Sequence, residues 1–465
     1  MSRLILGGIS LVTVGILTRY LGPSGFGQYS AIFAYLYVFT ALADLGLYTI
    51  LVREISREGA DESKITSKIF TLRLFVVISF IILANLVAFL LPYTLTIKLG
   101  IFIASLFSVF SSLAQVLTGV FQKYLRLYYV SLSDVIARLI QLAALFVLIR
   151  FETGLLWFIW VVVFTEAIHF GLIFFFARFL VPVRWEVDGV YWRETLKTAL
   201  PIAVSLVFVL VYFKLDTVLL SIMKPASDVG IYSVAYKVLE AVIFLPAIYI
   251  GLVMPILSRH AVGNRKEFVR SFGKAFDAIS IFAVWFSGYL FLMSGLVIKI
   301  IGGSGFVEAA PVLRVLSLAV FLIFFGNLGG NAIIALNLQK RAMWIYFAGA
   351  IVNLGSNVLL IPRYNYFATA WTTVFTELLI TVLMFSLIKK EIGAIKRKTV
   401  LGKAVLSALL IALLILPVRG SFVLASLMWP GYFPLLFAFG GFTLADIREI
   451  FSSKKPPVLP EEVEV

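Results

Sequence analysis

The chain has no cysteine and only two histidines, His169 and His260, in 465 residues. The first absence excludes disulfide frameworks, thiolate metal sites and cysteine nucleophiles. The second leaves too little for a zinc centre or a histidine-based triad. Charge is scarce as well: 14% of residues are Asp, Glu, Lys or Arg, about half the share of a soluble domain, and 62% are apolar. One water-soluble core could not hide so much apolar surface, and a mean hydropathy of +1.05 belongs to a polytopic membrane protein. Neither a metal, a resident cofactor nor an enzymatic centre is expected.

What is present is long apolar runs. Stretches able to cross roughly 30 Å of hydrocarbon fall at about 4–20, 28–52, 69–91, 98–121, 130–150, 155–180, 199–222, 230–257, 276–301, 312–337, 342–361, 366–388, 401–417 and 421–445. The fold class predicted is an all-α bundle of about 14 transmembrane helices. With the N-terminus inside, 26 Lys and Arg fall on the inner side, among them Arg53, Arg57, Lys64, Lys68, Arg265 and Arg270, and seven on the outer: Arg19, Lys98, Arg150, Lys224, Lys299, Arg363 and Arg419. That bias predicts both termini in the cytosol and a multi-pass protein of the cell membrane. It also accounts for the net charge of +15 without nucleic acid. The longest expected loop, roughly Ser258 to Ala275, is too short for a folded extramembrane domain, so function must lie in the bundle.

The chain repeats itself. Phe26-Gly27-Gln28-Tyr29-Ser30 returns 203 positions later as Val229-Gly230-Ile231-Tyr232-Ser233, and Trp160 to Glu166 returns as Trp371 to Glu377 with five identities in seven. Two parallel six-helix repeats are expected, 1–196 and 197–390, followed by two additional helices and a cytosolic tail over 391–465. A cleft between such lobes is the usual site of an alternating-access transporter.

Further motifs run in a characteristic order. Arg19-Tyr20-Leu21-Gly22 precedes Phe26-Gly27-Gln28-Tyr29; Asp44-Leu45-Gly46-Leu47 precedes Arg53-Glu54; Pro201 and Asp216 lie around the seventh helix. Then come Val229-Gly230-Ile231-Tyr232 with Ala235-Tyr236-Lys237, Gly305-Phe306 with Ala309-Ala310, and the stretch from Asn353 to Pro362. In this the sequence resembles the polysaccharide flippases of the multidrug/oligosaccharidyl-lipid/polysaccharide (MOP) exporter superfamily, over most of its length. It departs from them in a shorter first helix, and in Asn365 and Phe367 where glycines are expected. The resemblance implies a two-lobed protein, not an enzyme, that moves a polyprenyl-phosphate-linked oligosaccharide from the inner to the outer leaflet. A monomer is expected, working beside the glycosyltransferases or polymerase of its pathway.

Ionisable groups at bilayer depth cost about 2.5 to 3.5 kcal/mol each on insertion scales, so they should face a wet cavity or a partner. Asp134 with Arg138, and Lys237 with Glu240, share helix faces and can neutralise one another. Glu166 and Glu377, equivalent in the two repeats, are assigned to packing. Arg19, Arg73, Lys214 and Arg314, with Arg53 at a helix end, remain as a cationic set for a phosphate, which Arg can clamp bidentately and Lys can meet as a point charge. Membrane anchoring is the competing role of the arginines. Tyr29, Tyr35, Tyr37, Tyr212, Tyr232 and Tyr236 fit an interfacial belt better than a sugar pocket. Asp44 and Asp216 remain as acids for gating or coupling. Asp216 with Asn353, Asn357 and Thr376 supplies the hard oxygens suited to a coupling sodium ion or a proton, though the two asparagines could equally be interhelical glue.

Two other classes compete. A cation-coupled multidrug and toxin extrusion antiporter has the same six-plus-six architecture but wants an unpaired acidic cleft. A membrane-embedded glycan polymerase or transferase would need a large outer loop or a carboxylate-rich nucleotide site, and neither is in the sequence.

Overall fold

A computed structural model describes residues 2–393, 400–418 and 421–442, the side chains of 2–5, 200–213, 262, 418 and 422 excepted. Arg3, Pro201 and Tyr212 as side chains, and Lys396, Arg397, Lys398, Arg419 and the tail with Arg448, Lys454 and Lys455, therefore lie outside the described residues.

Every regular element among the described residues is helical: α1 (Ser2–Asp44), α2 (Leu47–Ile55), α3 (Glu62–Leu90), α4 (Leu95–Lys123), α5 (Tyr128–Arg150), α6 (Leu155–Ala177), α7 (Gly189–Met223), α8 (Ala226–Gly263), α9 (Arg265–Gly302), α10 (Ala309–Ala335), α11 (Gln339–Ile392), α12 (Val400–Ile415), α13 (Phe422–Met428) and α14 (Tyr432–Ala438), with single 3-10 turns between some of them. Nine helical segments among them are long and apolar enough to cross a membrane. Two are long enough for two crossings. α1 has 43 residues and α11 has 54, against the 20 or so that span hydrocarbon.

Each of these two is broken where the sequence dictates. In α1, Gly22 takes φ 65° and ψ −178°, a conformation that a Cβ disfavours, and Pro23 after it cannot donate to the helix. In α11, Asn365 takes φ 57° and ψ −142°, three residues after Pro362, and its amide donates to Asp228 at 2.8 Å. The residue standing where a glycine was expected thus adopts the backbone of a glycine and is tied down by a hydrogen bond. Leu45 (φ 49°) and Gly46 (φ 70°) separate α1 from α2 in the same left-handed region.

The expected loop from Ser258 to Ala275 is instead helical. α8 and α9 meet at Asn264, whose side chain accepts from the Glu267 backbone N–H at 3.2 Å and caps α9. Basic residues there read as loop in the sequence, yet a helix carries them equally well once its first turn is capped.

The chain packs as two compact units. The first is Met1–Ala241, Val297–Leu316 and Gln339–Ile380; the second is Val242–Leu296, Ser317–Leu338 and Thr381–Val465. In the first, α2, α3, α4 and α6 bury Leu47, Leu51, Ile69, Leu117, Phe121 and Ile173 together. A second cluster joins Ile32 and Tyr35 of α1 to Ala84, Ile101 and Ile159. In the second unit, Trp429 lies against Gly288, where a Cβ would meet its ring at 3.0 Å, and donates from its indole to the Trp285 carbonyl at 3.2 Å. Leu90, Phe89 and Leu252 are 82%, 74% and 72% exposed. Side chains of this kind face outward along many helices, as hydrocarbon solvent requires.

Candidate functional site

A cavity of about 1020 Å³ lies within the first unit, with α1, α4, α5, α6, α7 and α8 contributing to its walls. Of the cationic and acidic residues singled out above, it brings together Lys214 and Asp44.

Lys214, on α7, forms an ion pair with Glu240 of α8, and its ammonium stands 5.0 Å from the centre of the Tyr236 ring and 5.9 Å from that of Tyr37. The other Glu240 oxygen accepts from Lys237 at 2.7 Å. The pairing of Lys237 with Glu240 expected from spacing is therefore present, but the carboxylate is shared between two ammonium groups. Among the groups lining the cavity this cluster sets two ammonium groups against one carboxylate, while Asp216 of α7, outside the lining, lies close enough to Lys214 to interact with its charge. The sequence could not show the cluster, since Lys214 and Glu240 are 26 positions apart on different helices.

Asp44 lines the cavity at the end of α1 and is paired with Arg73 at 2.7 Å. Arg73 is 1% exposed and also donates to the Ala43 carbonyl at 2.9 Å and to the Gln115 side chain at 2.8 Å. Both terminal nitrogens of its guanidinium are spent on the protein. A buried arginine held this way neutralises Asp44 and ties α3 to α1 and α4.

The remaining arginines lie elsewhere. Arg19 donates to the carbonyls of Gly15 at 2.8 Å, Ile300 at 2.5 Å and Ile301 at 3.4 Å, so it caps the last turn of α9. Arg53 is half exposed and pairs with its neighbour Glu54 at 3.0 Å. Arg314 is exposed on α10.

Asp216 is 1% exposed and outside the cavity lining. It accepts from the Tyr232 hydroxyl and from the Thr217 N–H, each at 2.5 Å. Asn353, Asn357 and Thr376 form a separate buried group: Asn353 donates to the Thr376 hydroxyl at 3.4 Å, and Asn357 donates to the Asn353 side chain at 3.1 Å and to its carbonyl at 3.0 Å. Of the tyrosines, Tyr29, Tyr37 and Tyr236 line the cavity; Tyr35 is buried with its hydroxyl on the Ala84 carbonyl at 2.6 Å.

Sequence reasoning passed over the α5–α6 wall. Asp134 and Arg138 pair at 3.3 Å as their spacing predicts, and both line the cavity. So do Glu166, assigned above to packing, and His169, whose ring nitrogen is 3.2 Å from it. The signal available was the i, i+3 spacing of the two on an otherwise apolar helix. This mixed-charge cavity suits passage of a polar group through hydrocarbon.

Residues 1–261 match the family model described as "Polysaccharide biosynthesis protein". The chain belongs to that family. Along 398 residues it is 23% identical to the "Putative O-antigen transporter" of Escherichia coli (strain K12), covering 82% of this chain and 93% of that protein. Among solved structures, the lipid II flippase MurJ in an inward closed conformation superposes with a TM-score of 0.80 at 14% identity, over 97% of this chain and 98% of that one. A multidrug resistance MATE transporter of the MOP superfamily, inward-facing, gives 0.70 at 13% identity, over 86% and 97%. The family member described here is a multi-pass membrane protein with the MOP fold, and its resemblance to the polysaccharide flippases holds.

Proposed function

We propose that this chain carries a polyprenyl-phosphate-linked oligosaccharide from the inner to the outer leaflet by alternating access. The observation that carries the reading is the Lys214–Glu240–Lys237 cluster, two ammonium groups against one carboxylate on the wall of a chamber large enough for several sugars. A phosphate in a low-dielectric cleft needs such a partner while its lipid tail stays in the bilayer. Lys214 and Lys237 are its contacts in this reading. Arg19 and Arg73 hold the scaffold, and Arg53 and Arg314 serve the membrane surface.

The same proposal takes fourteen crossings in two repeats, 1–196 and 197–390, plus 391–465. The breaks at Gly22 and Asn365 support it by dividing α1 and α11 into two spans each. It also takes a monomer in the cell membrane with both termini cytosolic, driven by sodium or protons and fed by glycosyltransferases or a polymerase. Because the chain is free of cysteine, Asn264→Cys should resist an impermeant thiol reagent in intact cells and Ser227→Cys should react. The reverse would overturn the orientation.

Reconstitution tests the function. In liposomes holding the full chain, a fluorescent polyprenyl-diphosphate oligosaccharide in the inner leaflet should become accessible to an external quencher, and Lys214→Ala should slow it. One observation favours a second reading, multidrug extrusion: Glu166 faces the cavity with a histidine as its contact, an arrangement fit for an organic cation. Movement of a cationic dye without movement of the lipid would establish that reading instead.

A further inference from the structure

Among the groups that line the cavity, its two sides carry opposite balances of cation and carboxylate. On α7 and α8, Lys214 and Lys237 share the single carboxylate of Glu240. On α5 and α6 the balance reverses. Arg138 is taken up by Asp134 at 3.3 Å and by the Gln141 side chain at 3.0 Å, both on its own helix. Glu166 then has, among the described residues, the imidazole of His169 at 3.2 Å, a group that is charged only when protonated. The other acid on the cavity, Asp44, is matched by Arg73. A carboxylate of surplus charge thus faces the chamber from α6.

Polar capacity is also left unused there. Among the described residues, the second ring nitrogen of His169 is buried without a hydrogen-bond partner, and so are the hydroxyls of Ser30 and Ser233, residues 203 apart at matching places in the repeated motif. All three residues line the cavity, and Ser233 is 5% exposed. Buried donors and acceptors left open in a chamber are what the hydroxyls or amides of a ligand fill, and a ligand group of the wrong polarity or sign is rejected there.

We infer that the chamber selects its glycan by charge: with the phosphate held at Lys214 and Lys237, the sugars against the α5–α6 wall are neutral or amino-bearing, and a uronic acid at that position is rejected by Glu166. The inference rests on the flippase reading and narrows its substrate class. Like charge at close range in a cleft that is only partly wet costs on the order of tenfold or more in rate. Neutral sugars instead donate hydroxyls to Glu166 and exchange hydrogen bonds with His169 and Ser233.

The test uses the full chain in liposomes and two synthetic polyprenyl-diphosphate trisaccharides, identical except that the first sugar is a hexose in one and the corresponding hexuronic acid in the other. The neutral lipid should cross roughly tenfold faster or more, and Glu166→Gln should narrow the ratio to about threefold or less. If that variant does not accumulate, His169→Lys sets a permanent cation beside Glu166 and should narrow the ratio likewise. Equal rates in the wild type, or a ratio that neither variant alters, would overturn the charge selection while leaving flipping intact. Movement of neither lipid would overturn the flippase reading, and this inference with it.

Discussion

Gly27 and Gly230, 203 positions apart in the repeated motif, lock two helices together backbone to backbone. A Cβ added at Gly27 would sit 1.6 Å from the Ala226 carbonyl oxygen, and one added at Gly230 would sit 2.0 Å from that of Pro23. Pro23 and Ala226 are themselves 203 apart, so the contact is reciprocal, each copy of the motif offering the same glycine to the same place on the other. Neither obstructing atom belongs to a side chain that could swing aside.

Gly27→Ala should therefore prise this seam open. The expected cost is about 1–3 kcal/mol, the range for forcing atoms into a packed contact, seen as a lower thermal midpoint in detergent. Gly171→Ala, where nothing lies within 4 Å of the added carbon, should match the wild type. Equal midpoints for Gly27→Ala and Gly171→Ala would contradict the seam.

The shared carboxylate of Glu240 makes a second asymmetry measurable. Glu240→Gln leaves two ammonium groups side by side without a counter-charge and should cost about 2 kcal/mol, because a charge stranded in a partly buried site keeps its desolvation penalty. Lys237→Gln leaves a simple one-to-one pair with Lys214 and should cost under about 1 kcal/mol. Comparable losses in the two variants would show that the carboxylate is not shared in the folded protein.

Arg19 and Lys214 looked alike as unpaired cations in the sequence, and they separate in the structure. Arg19→Ala removes two bonds to carbonyls at the end of α9 and one to Gly15 of its own helix, and should lower stability by about 1–3 kcal/mol. Its half-saturating concentration of lipid substrate should stay as in the wild type. Lys214→Ala should do the opposite, raising that concentration. A substrate-affinity defect in Arg19→Ala would return this residue to the phosphate site.

How far such assignments could be read beforehand depended on distance along the chain. Pairs within one helix, Asp134 with Arg138 and Lys237 with Glu240, followed from spacing, and so did the break near Gly22, which falls between the apolar runs 4–20 and 28–52. Partners on different helices did not, as Arg73 with Asp44 and Lys214 with Glu240 illustrate. In a helix apolar on every side, such as α6, composition does not say which face meets lipid and which meets a neighbour, so the convergence of Glu166 and His169 with Asp134 on one chamber was hidden.

Outside the membrane-spanning segments, Asp188 gives a pH-dependent tie. It caps α7 by accepting from Tyr191 N–H at 3.0 Å and binds Lys68 at 2.5 Å. The hydrogen bond from Lys68, and then that from Tyr191, hold its carboxyl below the usual aspartate range. A lowered folded-state pKa means that the tie is present above the ordinary value near 4 and is lost as pH falls through the folded one. Asp188→Asn imitates the protonated state at neutral pH and should speed tryptic cleavage after Arg184, in the neighbouring connection. Unchanged cleavage would show that this tie does not hold the connection in place.

Energy coupling is the last expectation, and it turns on Asp216. An ion that drives transport must bind one conformation better than another, so its site needs a group whose charge state matters to the packing around it. Asp216 is buried, bonded to Tyr232 on α8 and to Thr217 on its own helix, and so joins α7 to α8 through a hydrogen bond whose strength depends on the carboxylate charge. Asn353, Asn357 and Thr376 hold further oxygens in their separate group on α11, and among the described residues the buried Asn357 side-chain oxygen has no hydrogen-bond partner. If sodium or a proton works through Asp216, Asp216→Asn keeps the size and one acceptor oxygen but deletes the charge, and transport should lose its dependence on the imposed gradient while lipid still binds. Tyr232→Phe, which removes the hydroxyl and keeps the carboxylate, should instead retain gradient dependence at a reduced rate. Measuring lipid movement against imposed sodium and proton gradients in all three proteins separates the roles. A gradient response in Asp216→Asn equal to that of the wild type would leave this carboxylate as an interhelical tie and move the coupling site elsewhere.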